Sequence, residues 1–153
     1  MKKILLILPF ILLTAFVSAD GVSASSDDLI KRSSNHNVKD TMDRLEKIVK
    51  SKKLTVFARI DHRAGAKSVG MDMNDAEVLI FGNPKGGTVV MKKDSAAALD
   101  LPLRVAVYQD NDGKVWLSYH NPQDLAVDYN VAGVPVLSKV EGALDKLTTA
   151  VTK

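Results

Sequence analysis

The segment Phe81-Gly82-Asn83-Pro84-Lys85-Gly86-Gly87-Thr88 carries the densest chemical potential in the chain. It follows the apolar run Val78-Leu79-Ile80-Phe81 and nearly imitates a phosphate loop. Such a loop needs Gly, four residues, Gly, Lys, then Ser or Thr, and the lysine is what reaches the terminal phosphates. Here Thr88 follows Gly87 directly, so nucleoside-triphosphate binding is excluded. Two readings stay open. In one, Lys85 and the N–H groups of Gly86 to Thr88 hold a carboxylate, sulfate or phosphate at a helix start, with Thr88 as its cap. In the other, favoured here, the glycines supply positive φ and Pro84 stiffens an ordered corner.

The other chemistry-bearing residues are scattered. His36, His62 and His120 show no metal-ligand spacing. Asp61-His62 and His120 each end an expected strand, so a site of two histidines and a carboxylate requires those ends to meet at one sheet edge. Met71, Met73 and Met91 read as core filler rather than copper ligands. There is no cysteine and no Gly-x-Ser-x-Gly elbow for an acyl nucleophile. Thr88 and Ser118 are the hydroxyls worth inspection, with ready roles as cap and strand residue. Tyr119 is placed to line a cleft or to sit in the core with one hydrogen bond. Trp116 reads as core or interface.

The elements that position these residues follow from periodicity. Leu29 to Ser33 is expected as a first strand. Asn37 caps a helix whose stripe is Val38, Met42, Leu45, Ile48 and Val49. Asp43 with Lys47 and Glu46 with Lys50 are expected pairs on its wet face. Leu54 to Ile60 alternates as a strand, His62 to Gly70 is a short helix or loop, and Glu77 to Phe81 is a strand buried on both faces. Thr88 to Leu99 holds a short helix capped by Asp94. Leu103 to Gln109 and Lys114 to His120 form a hairpin across Asp110-Asn111-Asp112-Gly113. Asn121-Pro122 and Pro135 start further helices, the last with the stripe Leu137, Val140, Leu144, Leu147 and Val151. The expected fold class is α+β: an antiparallel sheet of about five strands with helices packed on one face.

The first residues read as a targeting signal. Lys2 and Lys3 precede an apolar run from Ile4 to Phe16, and small residues follow at Val17-Ser18-Ala19 and Val22-Ser23-Ala24. The run falls short of the roughly 20 residues of a membrane span. Residues 1–19, or alternatively 1–24, are therefore expected as a cleaved secretory signal, residues 20–28 as a lead-in, and residues 29–153 as a single domain. Lys2 and Lys3 supply two of the +3 formal charges, so the trimmed chain is nearly neutral. That balance gives no nucleic-acid surface. Export disfavours ATP or nicotinamide chemistry, and no cofactor is expected.

Several segments taken in order resemble domain-of-unknown-function family 302. They are Asp61-His62 with Ala64 and Ala66, Val69-Gly70-Met71, Phe81-Gly82-Asn83-Pro84, Gly87-Thr88, Asp100-Leu101-Pro102-Leu103, Asp112-Gly113-Lys114-Val115-Trp116, and Tyr119 with Pro122. The resemblance runs from Val38 to Leu147. Asn74-Asp75-Ala76 departs from a Pro-Thr step, and Asn121 stands where the family often has aspartate. The resemblance implies a TATA-binding-protein-like (TBP-like) fold, often dimeric, with no catalytic residue to carry over. It also implies that Asp61, His62, Asn83, Thr88 and Tyr119 share a polar cleft. With Lys85 these are the candidate ligand-binding residues. The expected function is an exported, periplasmic or extracellular, non-enzymatic domain for a small ligand or a protein, working as a homodimer without a membrane anchor after cleavage. The alternative is a hydrolase-like enzyme or metal-binding protein built on that cleft.

Overall fold

The computed structural model describes residues 29–153, so the expected signal and lead-in lie outside the described residues. Strands β1 (Leu29–Ser33), β2 (Thr55–Asp61), β3 (Ala76–Gly82), β4 (Leu103–Gln109) and β5 (Val115–His120) form one sheet in the order β1-β5-β4-β3-β2. Every pairing is antiparallel. Helices α1 (Val38–Ser51), α2 (His62–Ser68), α3 (Pro84–Lys93), α4 (Leu125–Asp128) and α5 (Pro135–Thr152) complete the expected α+β architecture.

The core forms because one sheet face and two helix stripes lose the same water. Leu79, Phe81, Val105, Val107, Leu117 and Tyr119 alternate toward one face, where they meet Met42, Leu45 and Val49 of α1 and Leu144, Leu147 and Val151 of α5. β3 was expected to be buried on both faces. Leu79 and Phe81 are buried but Val78 and Ile80 only partly so, because the helices cover one side of the sheet alone. Trp116, expected in the core or at an interface, sits half-buried on the opposite face. There Lys31 and Lys114 stand 5.3 and 4.1 Å from its ring.

Local signals set the element ends. Asn37 caps α1 by accepting from the Asp40 N–H at 2.7 Å. Glu46 pairs with Lys50 as expected, but Asp43 turns back to Lys39 rather than forward to Lys47, and also binds Arg59 of β2. The hairpin turn closes with Gly113 at φ +80, a left-handed conformation that glycine adopts without strain. In β2 the register slips between Val56 and Ala58, leaving Phe57 bulged out of the ladder.

The helix expected over residues 88–99 is two elements. α3 runs from Pro84 to Lys93, and a separate 3-10 turn follows at Ser95–Leu99. Asp94 breaks them with an extended backbone and caps the second through the Ala96 N–H at 3.0 Å. The same carboxylate accepts from the Asn130 N–H at 3.0 Å. Those two donors, Asn130 first, hold its pKa below the ordinary carboxylate value.

Candidate functional site

The glycine-rich segment is a helix start. Asn83 is the N-cap, accepting from the Lys85 N–H at 3.0 Å, and Pro84 occupies the first turn, where its missing N–H costs nothing. Thr88 therefore lies inside α3 and caps nothing. Positive φ occurs at Gly70, Gly113 and Gly133, but not at Gly82, Gly86 or Gly87. Close approach does not demand glycine at Gly82 or Gly86 either, because an added Cβ would meet only ordinary van der Waals contacts. A Cβ on Gly82 would stand 3.4 Å from Pro102 Cβ, and one on Gly86 would stand 3.5 Å from Val136 Cγ2. Gly86 in the first turn of α3 thus lies beside Val136 of α5, and Gly82 at the end of β3 lies beside Pro102 at the β4 entry. The anion reading loses ground here, since Asn83 already occupies the Lys85 N–H through its side chain and the Gly87 N–H through its carbonyl.

Between α3, α5 and the sheet end lies a cavity of about 480 Å³. Its floor includes Phe81, Leu103, Leu144 and Leu147, and α3 contributes Gly86, Gly87, Thr88, Val90 and Met91. α5 supplies Val136, Val140 and Ala143, while Phe57 reaches in from the bulge. Two side chains in the lining carry charge, Lys52 and Lys139. The volume falls in the range of small-molecule sites, and so does the balance of many apolar walls with few polar groups.

A second cavity of about 360 Å³ shares the wall of Leu103, Pro122, Leu125 and Leu144. Its character is opposite, for Asp100, Arg104, His120, Asn121, Asp124 and Asp128 line it. Several of its polar groups already have partners. Asp100 accepts from Arg104 at 2.9 Å and from the Tyr129 hydroxyl at 2.5 Å. The Asp100 carboxylate pushes the Tyr129 phenol up to about 12. Asn121 caps the turn Pro122–Asp124 and donates to Glu141 at 3.2 Å. Among the described residues no group of three or more His, Asp or Glu side chains is placed to hold a metal ion.

The residues expected to share one polar cleft are separated. Asp61 pairs with Glu77, whereas Gly82, adjacent to Asn83, pairs with Thr55. Six residues of strand, about 20 Å, lie between those positions. Asp61 is spent as the N-cap of α2, accepting from the Ala64 N–H at 2.8 Å, and His62 is exposed beside it. His120 ends β5 at the Gly82 end of the sheet, with two strands lying between β5 and β2, so the two histidines do not meet. The cause is strand direction: β2 and β5 run so that their C-terminal ends point opposite ways. Tyr119 is buried in the core beside Ile30. Lys85 is exposed. Asn83 and Thr88 do come together, on the rim of the apolar cavity. The polar cleft of the enzymatic or metal-binding alternative is therefore not formed.

Sequence reasoning missed the lining residues Phe57, Lys52, Val136, Lys139 and Ala143, which three separate segments contribute. The one available signal was Asp100-Leu101-Pro102-Leu103, a segment that turns out to border both cavities.

Comparison with known proteins agrees with this architecture. A solved structure of an uncharacterised conserved protein DUF302 from Bacillus stearothermophilus superposes with a TM-score of 0.64 at 20% identity, covering 83% of this chain and 97% of that one. It shares the fold. The protein named Fluoride-specific ion channel FluC 1 of Brucella suis is 43% identical over 98 residues, which is 64% of this chain and 39% of that protein. Fluoride-specific ion channel FluC 2 of Brucella melitensis matches at the same identity over 36% of its length. The chain thus spans under two fifths of these curated relatives. Among its described residues no helix is long and apolar enough to cross a membrane. The profile for the domain of unknown function DUF302 matches residues 30–152, and the chain belongs to that family.

Proposed function

We propose that this protein is an exported, non-catalytic module that binds a small apolar or amphipathic ligand between α3 and α5. The observation that carries this reading is the cavity of about 480 Å³, walled by Phe81, Val90, Leu103, Val140 and Leu147. A core packed to ordinary density leaves few voids larger than a water molecule. An apolar space of this size, open at one side, gains free energy by taking up apolar surface. The second cavity is a weaker candidate, since Arg104 and Tyr129 already occupy Asp100. The name of the Brucella relatives concerns proteins that this chain matches over a minor part, so the cavity carries the reading and the name does not.

Export rests on the Lys2-Lys3 and Ile4 to Phe16 pattern. Self-association into a homodimer is supported by the helix-free sheet face, where Ile60 is 40% exposed beside Val78 and Ile80. Fractionation of producing cells with N-terminal sequencing tests export, and the expected new terminus follows Ala19 or Ala24. The cavity is tested with N-phenyl-1-naphthylamine, a neutral dye that fluoresces on entering apolar surroundings. The protein should bind it saturably, and Ala143→Trp, which projects a ring into the space, should abolish binding without loss of fold. Dye binding that survives Ala143→Trp would overturn the assignment.

A further inference from the structure

The two cavities differ in charge as sharply as in polarity. Asp100, Asp124 and Asp128 line the smaller one. No carboxylate lines the larger one, and its charged side chains are Lys52 and Lys139. Neither lysine forms an ion pair among the described residues, although Lys39, Lys50, Arg32, Arg59, Arg63 and Arg104 all do. Both are exposed, so their ammonium groups reach water while their stems contribute to the apolar wall. Lys52 follows the end of α1, and Lys139 stands in the second turn of α5. α5 itself begins at Pro135 behind Val134, which offers no side-chain cap. The positive end of its dipole therefore lies on the same side as Lys139.

An apolar interior whose charged rim groups are both cationic selects for a molecule of matching polarity. A neutral hydrocarbon satisfies the walls and leaves the lysines with water. A cationic amphiphile meets two like charges. The apolar leader of this chain carries Lys2 and Lys3 beside its greasy run and meets the same repulsion. A tail with an anionic head satisfies walls and rim together, because charge-assisted hydrogen bonds from ammonium to an oxyanion are the stronger kind.

Resting on the ligand-binding reading above, we infer that the cavity takes a single-chain amphiphile with an anionic head, its tail against Phe81, Leu103 and Leu144 and its head between water and the ammonium groups of Lys52 and Lys139. The head chemistry is that of a carboxylate or sulfate monoester. The lysines fix the sign of the charge, while the walls fix the tail.

Calorimetric titration of the chain recovered from producing cells with decanoate, decyl sulfate, decanol and decyltrimethylammonium tests this directly. Decanoate and decyl sulfate should bind about tenfold tighter than decanol, a difference of about 1.4 kcal/mol, and decyltrimethylammonium weakest of the four. In the double variant Lys52→Met, Lys139→Met the stems are kept and the charges removed. Decanol should then bind as before, which reports an intact cavity, and the preference for the anions should vanish. Equal affinity for decanol and decanoate in the unaltered protein would overturn the head-group assignment and leave the cavity reading standing. No binding of any of the four would overturn both.

Discussion

The Arg59 guanidinium donates from Nε to Glu77 Oε2 at 2.5 Å, clamping the outermost strand β2 to its neighbour β3. Its Nη1 reaches Asp43 at 2.6 Å and Glu46 at 3.1 Å, so a single side chain ties two strands to α1. Glu77 is only 12% exposed, and the three carboxylates hold the guanidinium well above its ordinary pKa. Arg59→Leu should cost about 2 kcal/mol in urea denaturation, between the values for an exposed and a fully buried ion pair. A loss below about 0.5 kcal/mol would mean that the network contributes no more than surface pairs do.

The same network sets an acid dependence. Lys39 first and Arg59 second lower the Asp43 pKa, and Lys50 first and Arg59 second lower that of Glu46. Groups depressed on folding stabilise above their unfolded pKa near 4, and the contribution is lost as pH falls through the folded value. Denaturation midpoints should therefore drop below about pH 4. In Arg59→Leu the drop should be shallower but present, since Lys39 and Lys50 remain.

Trp116 donates from Nε1 to Asp110 Oδ2 at 2.7 Å, and the other carboxylate oxygen accepts from the Asp112 and Lys114 N–H groups. These donors, Trp116 foremost, lower the Asp110 pKa. Trp116 is the single tryptophan of the chain, so its emission reports this turn alone. Acidification through the depressed carboxyl value should shift the emission. Asp110→Ala should carry the shifted spectrum already at neutral pH and show no further acid step.

The Tyr129 hydroxyl donates to Asp100 Oδ2, and its pKa is raised to about 12. A phenol raised on folding stabilises fully below its unfolded pKa near 10, and the contribution disappears as pH climbs through the folded value. Ultraviolet titration should show one of the three tyrosines ionising near 12. Asp100→Asn should return that step toward 10.

Asn83→Ala removes the cap of α3 and should cost about 1 kcal/mol. Because the first turn of α3 walls the larger cavity, dye affinity should fall as well. Thr88→Ala, two residues beyond the Gly86 contact and inside the helix, should change stability by less than about 0.5 kcal/mol. A larger cost at Thr88 than at Asn83 would restore Thr88 as the cap.

What the sequence made legible was local. Asn37, the stripe of α1, the Asp110 to Gly113 turn and Pro135 each state a rule within a few residues, and each element stands where its rule places it. The α+β class followed from summing them. Strand pairing is non-local, and it decided the site. Nothing near Asp61 or Asn83 records that β2 and β3 pair so as to hold them at opposite ends. The glycines misled for a related reason. Gly86 looks alike whether it serves a turn or sits inside a helix beside Val136, fifty residues onward. The cavity was hidden because its walls come from β2, α3, the β4 entry and α5, each of which reads as ordinary core on its own.

The bulge at Phe57 bears on more than the width of a cavity. Among the described strands, β2 and β1 each have a single neighbour and so leave an open row of N–H and C=O groups, the template on which fibres grow. At β2 the extra residue breaks the repeat that an incoming chain must match. At β1 the row is five residues long and carries Lys31 and Arg32. Both borders are thus poor seeds for polymerisation.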